Sequence, residues 1–394
     1  MSEARLPEQI ISAPALRRVL AALAPHQALI VGGAVRNALL GEPVDDIDIA
    51  TDARPEQTTA KAGAAGLKAV PTGAEHGTIT VIADGQPFEV TTFRRDVETF
   101  GRHAVVEFSD DLSEDAARRD FTINALYARP DGSVIDPVGG LPDLAARRLR
   151  FVGNPDARIT EDYLRILRFF RFHARYGRKG AADPAALAAC ARHKAGLSGI
   201  SRERIGAEMR KLLAAPDPVE AVELMARTGV LAQILPGARS EGLAALIAAE
   251  VGAVCPHTPE DICAKKKDWP VRLAALGADD AAGALRLSRS EARVQEELRF
   301  DVPLAEAAYR LGAGRALQLA LLRMARGEVL RADWREQIAF AAAQKFPLRA
   351  ADLPGLQGSA IGRGLKAAES AWIESGFLMP APGLIDVALL AGEE

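Results

Sequence analysis

The chain has 394 residues, of which 48% are hydrophobic and 26% charged, and this composition predicts a folded protein of two to four packed units. A formal net charge of −3 argues against coating of nucleic acid by the whole surface, although it is compatible with a local basic patch. Three cysteines without a CxxC pair do not indicate a disulfide framework, and no stretch is typical of a secretory or membrane-spanning segment. We therefore expect a cytoplasmic protein without membrane insertion, and no obligate protein partner is evident.

The periodicity of the chain changes near Pro155. Residues 1 to about 140 mix short β-like runs with short helical patterns, whereas the remainder is rich in Ala, Leu and Arg with helical periodicity. The sequence predicts an α/β head, made of a small mixed sheet with flanking helices, followed by an all-helical neck, body and tail. We place these parts at residues 1–145, 146–215, 216–350 and 351–394, with helix breaks near 216–218, 254–270 and 354–358.

A pair of glycines and a pair of aspartates stand close together in LIVGGAVRNALLGEPVDDIDIA, residues 29–50. The pattern predicts a strand, a turn at Gly32 and Gly33, a helix, and a second strand that carries Asp46 and Asp48. Residues two apart in a strand share a face, so the two carboxylates would lie together. Oxygen ligands at this spacing suit Mg²⁺ and metal-dependent phosphoryl transfer. A hairpin with two solvated aspartates is the alternative for Asp-x-Asp alone.

The glycines have a second expected use in this pattern. Without side chains, they let a triphosphate approach the backbone and the N-terminus of the following helix, where amide groups favour anions. We group Arg36, on that predicted helix, with Gly32 and Gly33 as nucleotide-binding residues. Coupled to these glycines, the aspartates favour a metal and nucleotide site over a solvated hairpin.

Two further segments complete the head. GTITVIADGQPFEVTTF, residues 77–93, predicts two strands about a turn at Asp84 and Gly85, because Asp-Gly supplies the positive φ that a tight hairpin requires. Residues 93–107 then break the pattern with mixed charge, and we expect a mobile loop there.

The order of Gly-Gly, short helix and Asp-x-Asp resembles the nucleotidyltransferase superfamily that includes the DNA polymerase β-like enzymes. More narrowly, it resembles the class II tRNA nucleotidyltransferase and bacterial poly(A) polymerase family. The resemblance implies that Glu89 is a third catalytic carboxylate. It also implies that DAARRDFTINAL, residues 115–126, holds the ribose and phosphates of a nucleotide through Arg119, Asp120 and Asn124. A helix cap with an Asp–Arg pair is the alternative for that segment.

EDYLRILRFFRF, residues 161–172, predicts a helix on which Asp162, Arg165 and Arg168 share a stripe. A carboxylate there can accept from the exocyclic amine of cytosine or adenine, while a guanidinium donates to the adjacent ring nitrogen. Uracil and guanine present a carbonyl at that place and would be rejected. The family resemblance gives these residues the same task. An i, i+3 salt bridge on an exposed helix is the alternative.

Basic residues are concentrated between Arg147 and Lys179, where ten Lys and Arg face three acidic residues. This cluster would attract an RNA backbone or polyphosphate, unless it is a solvated helix face. ISRERIGAEMRKLL, residues 200–213, resembles a supporting helical motif of the family, and residues 358–377 resemble its tail. Cys255, His257 and Cys263 have no recognised zinc spacing, so we expect an ordinary loop there.

The resemblance implies addition of CCA to the 3′ end of tRNA from CTP and ATP, with Mg²⁺ and release of pyrophosphate. A poly(A) polymerase is disfavoured because residues 351–394 carry six acidic and two basic residues. Enzymes that add only CC or only A remain open, as does a non-catalytic RNA-binding protein. The family also associates a loop at 93–107 with the change from CTP to ATP, although Phe100 stands where an acidic residue is expected.

Overall fold

The computed structural model describes residues 4–100, 103–252 and 268–393. The chain divides into two compact units, Met1–Ile234 and Leu235–Glu394. The first contains all the strands within the described residues, and the second is helical. Within the described residues, no helix combines the length and the apolar character needed to cross a membrane.

Seven strands of the first unit form one mixed sheet, and two form a separate hairpin. The strands are β1 (Ala28–Val31), β2 (Asp48–Thr51), β3 (Lys68–Gly73), β4 (Thr78–Ala83), β5 (Gln86–Thr92), β6 (Arg94–Phe100), β7 (His103–Phe108), β8 (Tyr127–Ala128) and β9 (Val134–Ile135). The sheet order is β3-β4-β5-β2-β1-β8-β9, and β6 pairs with β7. Within the sheet all neighbours are antiparallel except β2 and β5, which run parallel.

Twelve α-helices belong to the described part of the first unit. They are α1 (Glu8–Ile11), α2 (Pro14–Ala22), α3 (Gly33–Leu40), α4 (Pro55–Ala64), α5 (Leu112–Ala117), α6 (Gly140–Ala145), α7 (Pro155–Glu161), α8 (Leu164–Tyr176), α9 (Pro184–His193), α10 (Arg202–Leu213), α11 (Val219–Arg227) and α12 (Val230–Ile234). Short 3₁₀ helices span Ala74–His76, Thr122–Asn124 and Lys194–Gly199.

The described part of the second unit consists of nine α-helices and one short 3₁₀ helix. The α-helices are α13 (Glu241–Gly252), α14 (Trp269–Ala275), α15 (Ala281–Ala284), α16 (Arg289–Glu297), α17 (Leu304–Leu311), α18 (Ala313–Ala325), α19 (Trp334–Ala342), α20 (Ser359–Glu374) and α21 (Ala381–Glu393), and the 3₁₀ helix is Ala350–Asp352. One of its core clusters includes Trp334, Trp372 and Phe377.

An aromatic cluster joins the sheet region of the first unit to helix α8. Phe121 lies 4.9 Å from Phe151 and 5.4 Å from Phe172, measured between ring centroids. Phe151 stacks on Phe169 at 5.8 Å. Burial of rings of this size is the main stabilising contribution of such a cluster. Helix α8 is therefore packed into the same core as the segment that follows the head.

The predicted fold class, an α/β head followed by helices, is confirmed. The hairpin about Asp84 and Gly85 is also confirmed, as β4 and β5. The break near 216–218 separates α10 from α11, and the break near 354–358 precedes α20. Most of 254–270, including Cys255, His257 and Cys263, lies outside the described residues. The four-part division of the chain stays a prediction.

The expectation of a loop at 93–107 is wrong. Strands β6 and β7 pair antiparallel from Arg94 opposite Phe108 to Phe100 opposite His103. The register shifts between Asp96 and Glu98. The mixed charge of residues 93–107 did not indicate strands. The two strands are nevertheless joined by backbone hydrogen bonds, which most side-chain types can accompany.

Candidate active site

Two acidic side chains meet where β2 and β5 run in parallel. Asp48, the first residue of β2, is opposite Val31 at the end of β1 on one side and opposite Glu89 of β5 on the other. Directly opposed residues of neighbouring strands have side chains about 5 Å apart. The strand register therefore sets the carboxylates of Asp48 and Glu89 side by side.

Asp46 lies two residues before β2, so the prediction that the strand carries both aspartates is wrong. On the β1 side, Gly32 has φ 69° and ψ −119°, so the chain turns away after Val31 and β1 offers no partner to residues before Asp48. Asp46 and Asp48 still interact, because the charge of Asp46 contributes to the raised pKa of Asp48.

Negative charge is incompletely compensated at this point. Partial burial raises the pKa of Asp48, and the neighbouring charge of Glu89 raises the pKa further, while Arg119 opposes both. Within the described ranges, no three or more His, Cys, Asp and Glu side chains converge as a metal cage. Carboxylates open to one side suit Mg²⁺, which is usually held by one or two carboxylates together with substrate phosphates and water.

Arg119 is the cation beside these carboxylates. Its Nε donates to the Tyr127 hydroxyl at 2.8 Å, and its Nη2 donates to Asp115 Oδ2 at 3.0 Å. Tyr127 in turn donates to the same Asp115 oxygen at 2.7 Å, and Asp115 is buried. A Cβ at Gly32 would lie 3.5 Å from Arg119 Nη1. Arg119 is thus held rigidly, with one end of its guanidinium next to the glycine turn.

Asp120 and Asn124 belong to a buried polar network. Asp120 Oδ2 accepts from Arg168 Nε at 2.8 Å and Nη2 at 2.5 Å, and its Oδ1 accepts from Asn124 Nδ2 at 3.0 Å. Burial alone would raise the pKa of Asp120, but Arg168 and Asn124 hold it below the ordinary value. Arg168 therefore pairs with Asp120, which connects α8 to the segment after α5.

Arg36 is 6% exposed and continues this network. It donates to Asn124 Oδ1, and its Nη2 donates to the Tyr176 hydroxyl at 2.8 Å. The guanidinium also lies 4.1 Å from the centre of the Tyr176 ring. Burial lowers the pKa of Arg36, although Tyr176 opposes the shift. These contacts give Arg36 a structural role between α3 and α8, and its predicted contact with a nucleotide stays untested.

Asp162 and Arg165 do not share one helix, so that prediction is wrong. Helix α7 ends at Glu161, and Asp162 has an extended backbone with φ −150° and ψ 106°. Its Oδ1 accepts from Leu164 N at 3.0 Å, and its carbonyl accepts from Arg165 N at 2.9 Å. Asp162 therefore caps the N-terminus of α8 with its side chain. Its extended backbone interrupts the helical conformation between α7 and α8.

The Arg165 side chain bonds back toward α7. Its Nη1 donates to the Arg158 carbonyl at 2.7 Å and to Glu161 Oε2. Across the described residues, its Nε and Nη2 have no hydrogen-bond partner in the protein. Asp162 and Arg165 are nevertheless close in space, at the first turn of α8, with donor groups of Arg165 left for a ligand.

The basic cluster from Arg147 to Lys179 does not form one surface. Four of its arginines are half-buried or buried and pair with acidic residues: Arg158 and Arg165 with Glu161, Arg168 with Asp120, and Arg171 with Glu208. Arg148, Arg175, Arg178 and Lys179 are exposed. The net charge along the sequence therefore overstates the charge that the surface presents.

Comparisons with known proteins identify the family of this chain. The family described as Poly A polymerase head domain matches residues 28–150, and the one described as Probable RNA and SrmB-binding site of polymerase A matches residues 182–241. The CCA-adding enzyme of Geobacillus stearothermophilus is 34% identical over 326 residues, or 79% of this chain and 78% of that protein. This chain belongs to the CCA-adding enzyme family.

Other members of the CCA-adding enzyme family match in part. Human CCA tRNA nucleotidyltransferase 1, mitochondrial, is 48% identical over 190 residues, or 48% of this chain and 44% of that protein. The chain spans about half the length of the first curated relatives it matches. The Bacillus stearothermophilus CCA-adding enzyme in complex with CTP has a TM-score of 0.68 and 28% identity, covering 92% of this chain and 93% of that one.

Several residues of the site are missing from the sequence prediction. Tyr127 and Asp115 hold Arg119, and Tyr176 holds Arg36. The i, i+4 spacing of Asp115 and Arg119 was a signal for their ion pair, whereas no local pattern indicates the two tyrosine contacts. Arg204 donates to Asp162 at 2.7 Å. It lies in the motif that we expected to be supporting, and an Arg in the first turn of that helix, where the dipole disfavours cations, was the available signal.

Proposed function

We propose that this chain adds C, C and A to the 3′ end of tRNA, using CTP and ATP and releasing pyrophosphate. The observation that carries the proposal is the pairing of Asp48 with Glu89 directly beside the turn at Gly32. Metal-dependent phosphoryl transfer can use such carboxylates next to a backbone that receives a triphosphate. Membership of the CCA-adding enzyme family supports the choice of substrates.

We assign Asp46 and Asp48 as the ligands of Mg²⁺. With Mg²⁺ bound, the charge of the triphosphate is neutralised and the attacking 3′-hydroxyl becomes more acidic. Glu89 would help to activate that hydroxyl, since its carboxylate stands next to Asp48. The raised pKa of Asp48 fits a site that needs a cation to balance its charge.

The nucleotide would be held from the glycine turn and from Arg119. Amide groups at Gly32 and Gly33 precede the first turn of α3, and Arg119 adds a positive charge beside the turn. We propose that Asp120 and Asn124 contact the ribose. The Asp120 carboxylate already accepts four hydrogen bonds, so a ribose hydroxyl would have to displace one of them, whereas Asn124 Oδ1 keeps one lone pair beside its bond from Arg36.

The base would be recognised at the first turn of α8. Asp162 would accept from the exocyclic amine of cytosine or adenine, and the unused Nε or Nη2 of Arg165 would donate to the adjacent ring nitrogen. Uracil and guanine would direct a carbonyl oxygen at the carboxylate, which leaves two acceptors facing each other. The pair would therefore select C and A without a nucleic-acid template.

The proposal is tested with tRNA transcripts that end before CCA, after C and after CC, each incubated with one labelled nucleotide. We expect C on the first two transcripts and A on the third. Asp46→Asn and Asp48→Asn should abolish incorporation while tRNA affinity stays nearly unchanged. No incorporation by the parent, with retained tRNA binding, would contradict the proposal and favour a binding protein.

A poly(A) polymerase is the second candidate, because both matching families are described by that polymerase. Unlimited addition of A to any of the transcripts would favour it. Addition of C without A, or of A without C, would indicate a partial enzyme. A cytoplasmic location and the four-part division of the chain stay predictions beside this proposal.

A further inference from the structure

Arg204 connects helix α10 to the turn that carries Asp162. Helix α10 begins after Ser201, whose hydroxyl accepts from Arg204 N. From the first turn of this helix, Arg204 Nη2 reaches Asp162 Oδ2 at 2.7 Å, and the two side chains are 27% and 20% exposed. The contact joins residues 42 apart in the sequence, so it is a product of the tertiary fold.

The carboxylate of Asp162 is held at both oxygens. Oδ1 accepts from the backbone of Leu164 at 3.0 Å, and Oδ2 accepts from Arg204. Each carboxylate oxygen has two lone pairs, so each keeps one for a ligand. Two anchors at opposite oxygens fix the rotation of the carboxylate about its last torsion, which is otherwise broad for Asp.

Arg165 does not share this task. Its guanidinium bonds to Glu161 and to the Arg158 carbonyl, on the α7 side of the turn. Among the described residues, the hydrogen bond from a cationic side chain to Asp162 comes from Arg204. Removal of Arg204 would leave Asp162 with its backbone contact to Leu164, and the carboxylate could then rotate to relieve an unfavourable contact.

We propose that Arg204 is a positioning residue that sets base selectivity by fixing the orientation of Asp162. The inference rests on the proposed function. A fixed carboxylate cannot turn away from the carbonyl of uracil, so the repulsion between the two oxygens disfavours UTP fully. A mobile carboxylate could rotate and reduce this repulsion. The kcat/KM for CTP would depend less on Arg204, because the amine of cytosine attracts the carboxylate into the required orientation.

A second ion pair between the same two helices supplies a matched control. Arg171 of α8 donates to Glu208 of α10 at 2.5 Å, and their side chains are 15% and 8% exposed. Arg171→Gln would loosen the packing of α8 on α10 without removing a contact of Asp162. Arg204→Gln removes the Asp162 contact, and Arg204→Lys keeps a positive charge with a different geometry.

The experiment measures kcat/KM for CTP and for UTP with a tRNA transcript that lacks CCA, at a temperature where thermal unfolding shows each variant to be folded. We expect the CTP to UTP ratio to fall about tenfold in Arg204→Gln, which corresponds to one lost charge-assisted contact. Arg204→Lys should restore part of the ratio. Arg171→Gln should leave the ratio within about twofold, whatever its effect on the rate of both nucleotides.

An unchanged ratio in Arg204→Gln, or an equal loss in Arg171→Gln, would overturn the inference. In an Asp162→Asn background, Arg204→Gln should change the ratio little further, and full additivity would also contradict a shared action. If the parent adds neither C nor A, the proposed function fails and the inference fails with it. If the parent adds CCA while Arg204→Gln keeps its selectivity, the inference alone fails.

Discussion

Replacement of Asp48 by Asn is expected to stabilise the metal-free protein. The pKa of Asp48 is raised by burial, and then by Glu89 and Asp46, so the folded state holds its ionised form less readily than the unfolded chain does. The ionised carboxylate therefore lowers the free energy of unfolding at pH values above its folded pKa. The penalty disappears at low pH, where the side chain is protonated in both states.

The magnitude follows from the distance between the opposed side chains. Two like charges about 5 Å apart repel by about 1 kcal/mol when solvent screening is strong, as it is for a partly exposed pair. Arg119 offsets part of this repulsion. A gain of about 1 kcal/mol would raise the unfolding temperature by about 2–4 °C for a unit of this size.

With Mg²⁺ bound, the parent should become more stable than Asp48→Asn. At ten times its dissociation constant, a bound ion stabilises the folded state by about 1.4 kcal/mol. The parent should therefore gain stability with added Mg²⁺, whereas Asp48→Asn should gain little. Asp45→Asn is a matched control, since it removes an adjacent exposed carboxylate outside the predicted metal set.

The assay is thermal unfolding at neutral pH and at low pH, in a chelator and then with increasing Mg²⁺. The reasoning is refuted if Asp48→Asn unfolds at a lower temperature than the parent in the chelator. It is also refuted if Mg²⁺ raises the unfolding temperature of both proteins equally, because the ion would then bind elsewhere.

Three other predictions concern stability, tRNA binding and the β6–β7 hairpin. Arg36→Met should lower the free energy of unfolding by about 3 kcal/mol in urea titrations, against about 1 kcal/mol for Tyr176→Phe, since it leaves the buried Asn124 Oδ1 unpaired and also removes the bonds to Asn37 and Tyr176; equal losses would contradict this role. Affinity for tRNA should fall steeply with salt, and joint replacement of Arg178 and Lys179 by Gln should reduce the slope of log affinity against log salt by up to about two; an unchanged slope would exclude them as phosphate contacts. Replacement of residues 96–104 by a Gly/Ser linker should spare C addition and impair the final A, and A addition at the parent rate would refute a role in the change of nucleotide.

Local patterns were sufficient to predict much of the head. The apolar run before Gly32, the Asp-Gly turn of the β4–β5 hairpin and the helical periodicity after Pro155 each depend on residues near in sequence. The partnership of Glu89 with Asp48 came from family resemblance, because strand order cannot be derived from periodicity. The sequence therefore predicted the types of the elements. The order of the strands in the sheet, which brings Asp48 next to Glu89, could be read only from the structure.

Two features that the sequence prediction missed depend on contacts over long sequence separation. Asp162 is an N-cap residue type, but its bond to Arg204, 42 residues away, is not visible in EDYLRILRFFRF, and α7 ends at Glu161. Similarly, Arg171 counts as a surface charge in the sequence until Glu208 is found against it. Partners of this kind are invisible in local spacing.

The buried network around Arg36 bears on how the head could be used as a module. A fragment cut after residue 150, the end of the matched head family, would lose Tyr176 and leave the Arg36 guanidinium without that acceptor. It would also lose Phe169 and Phe172, which cover Phe121. A transplanted head would therefore expose to water an apolar face and a guanidinium that the intact chain buries. In recombination or protein engineering, a transferable head fragment therefore has to extend through α8. The segment that contains the catalytic residues is shorter than the segment that is needed for folding.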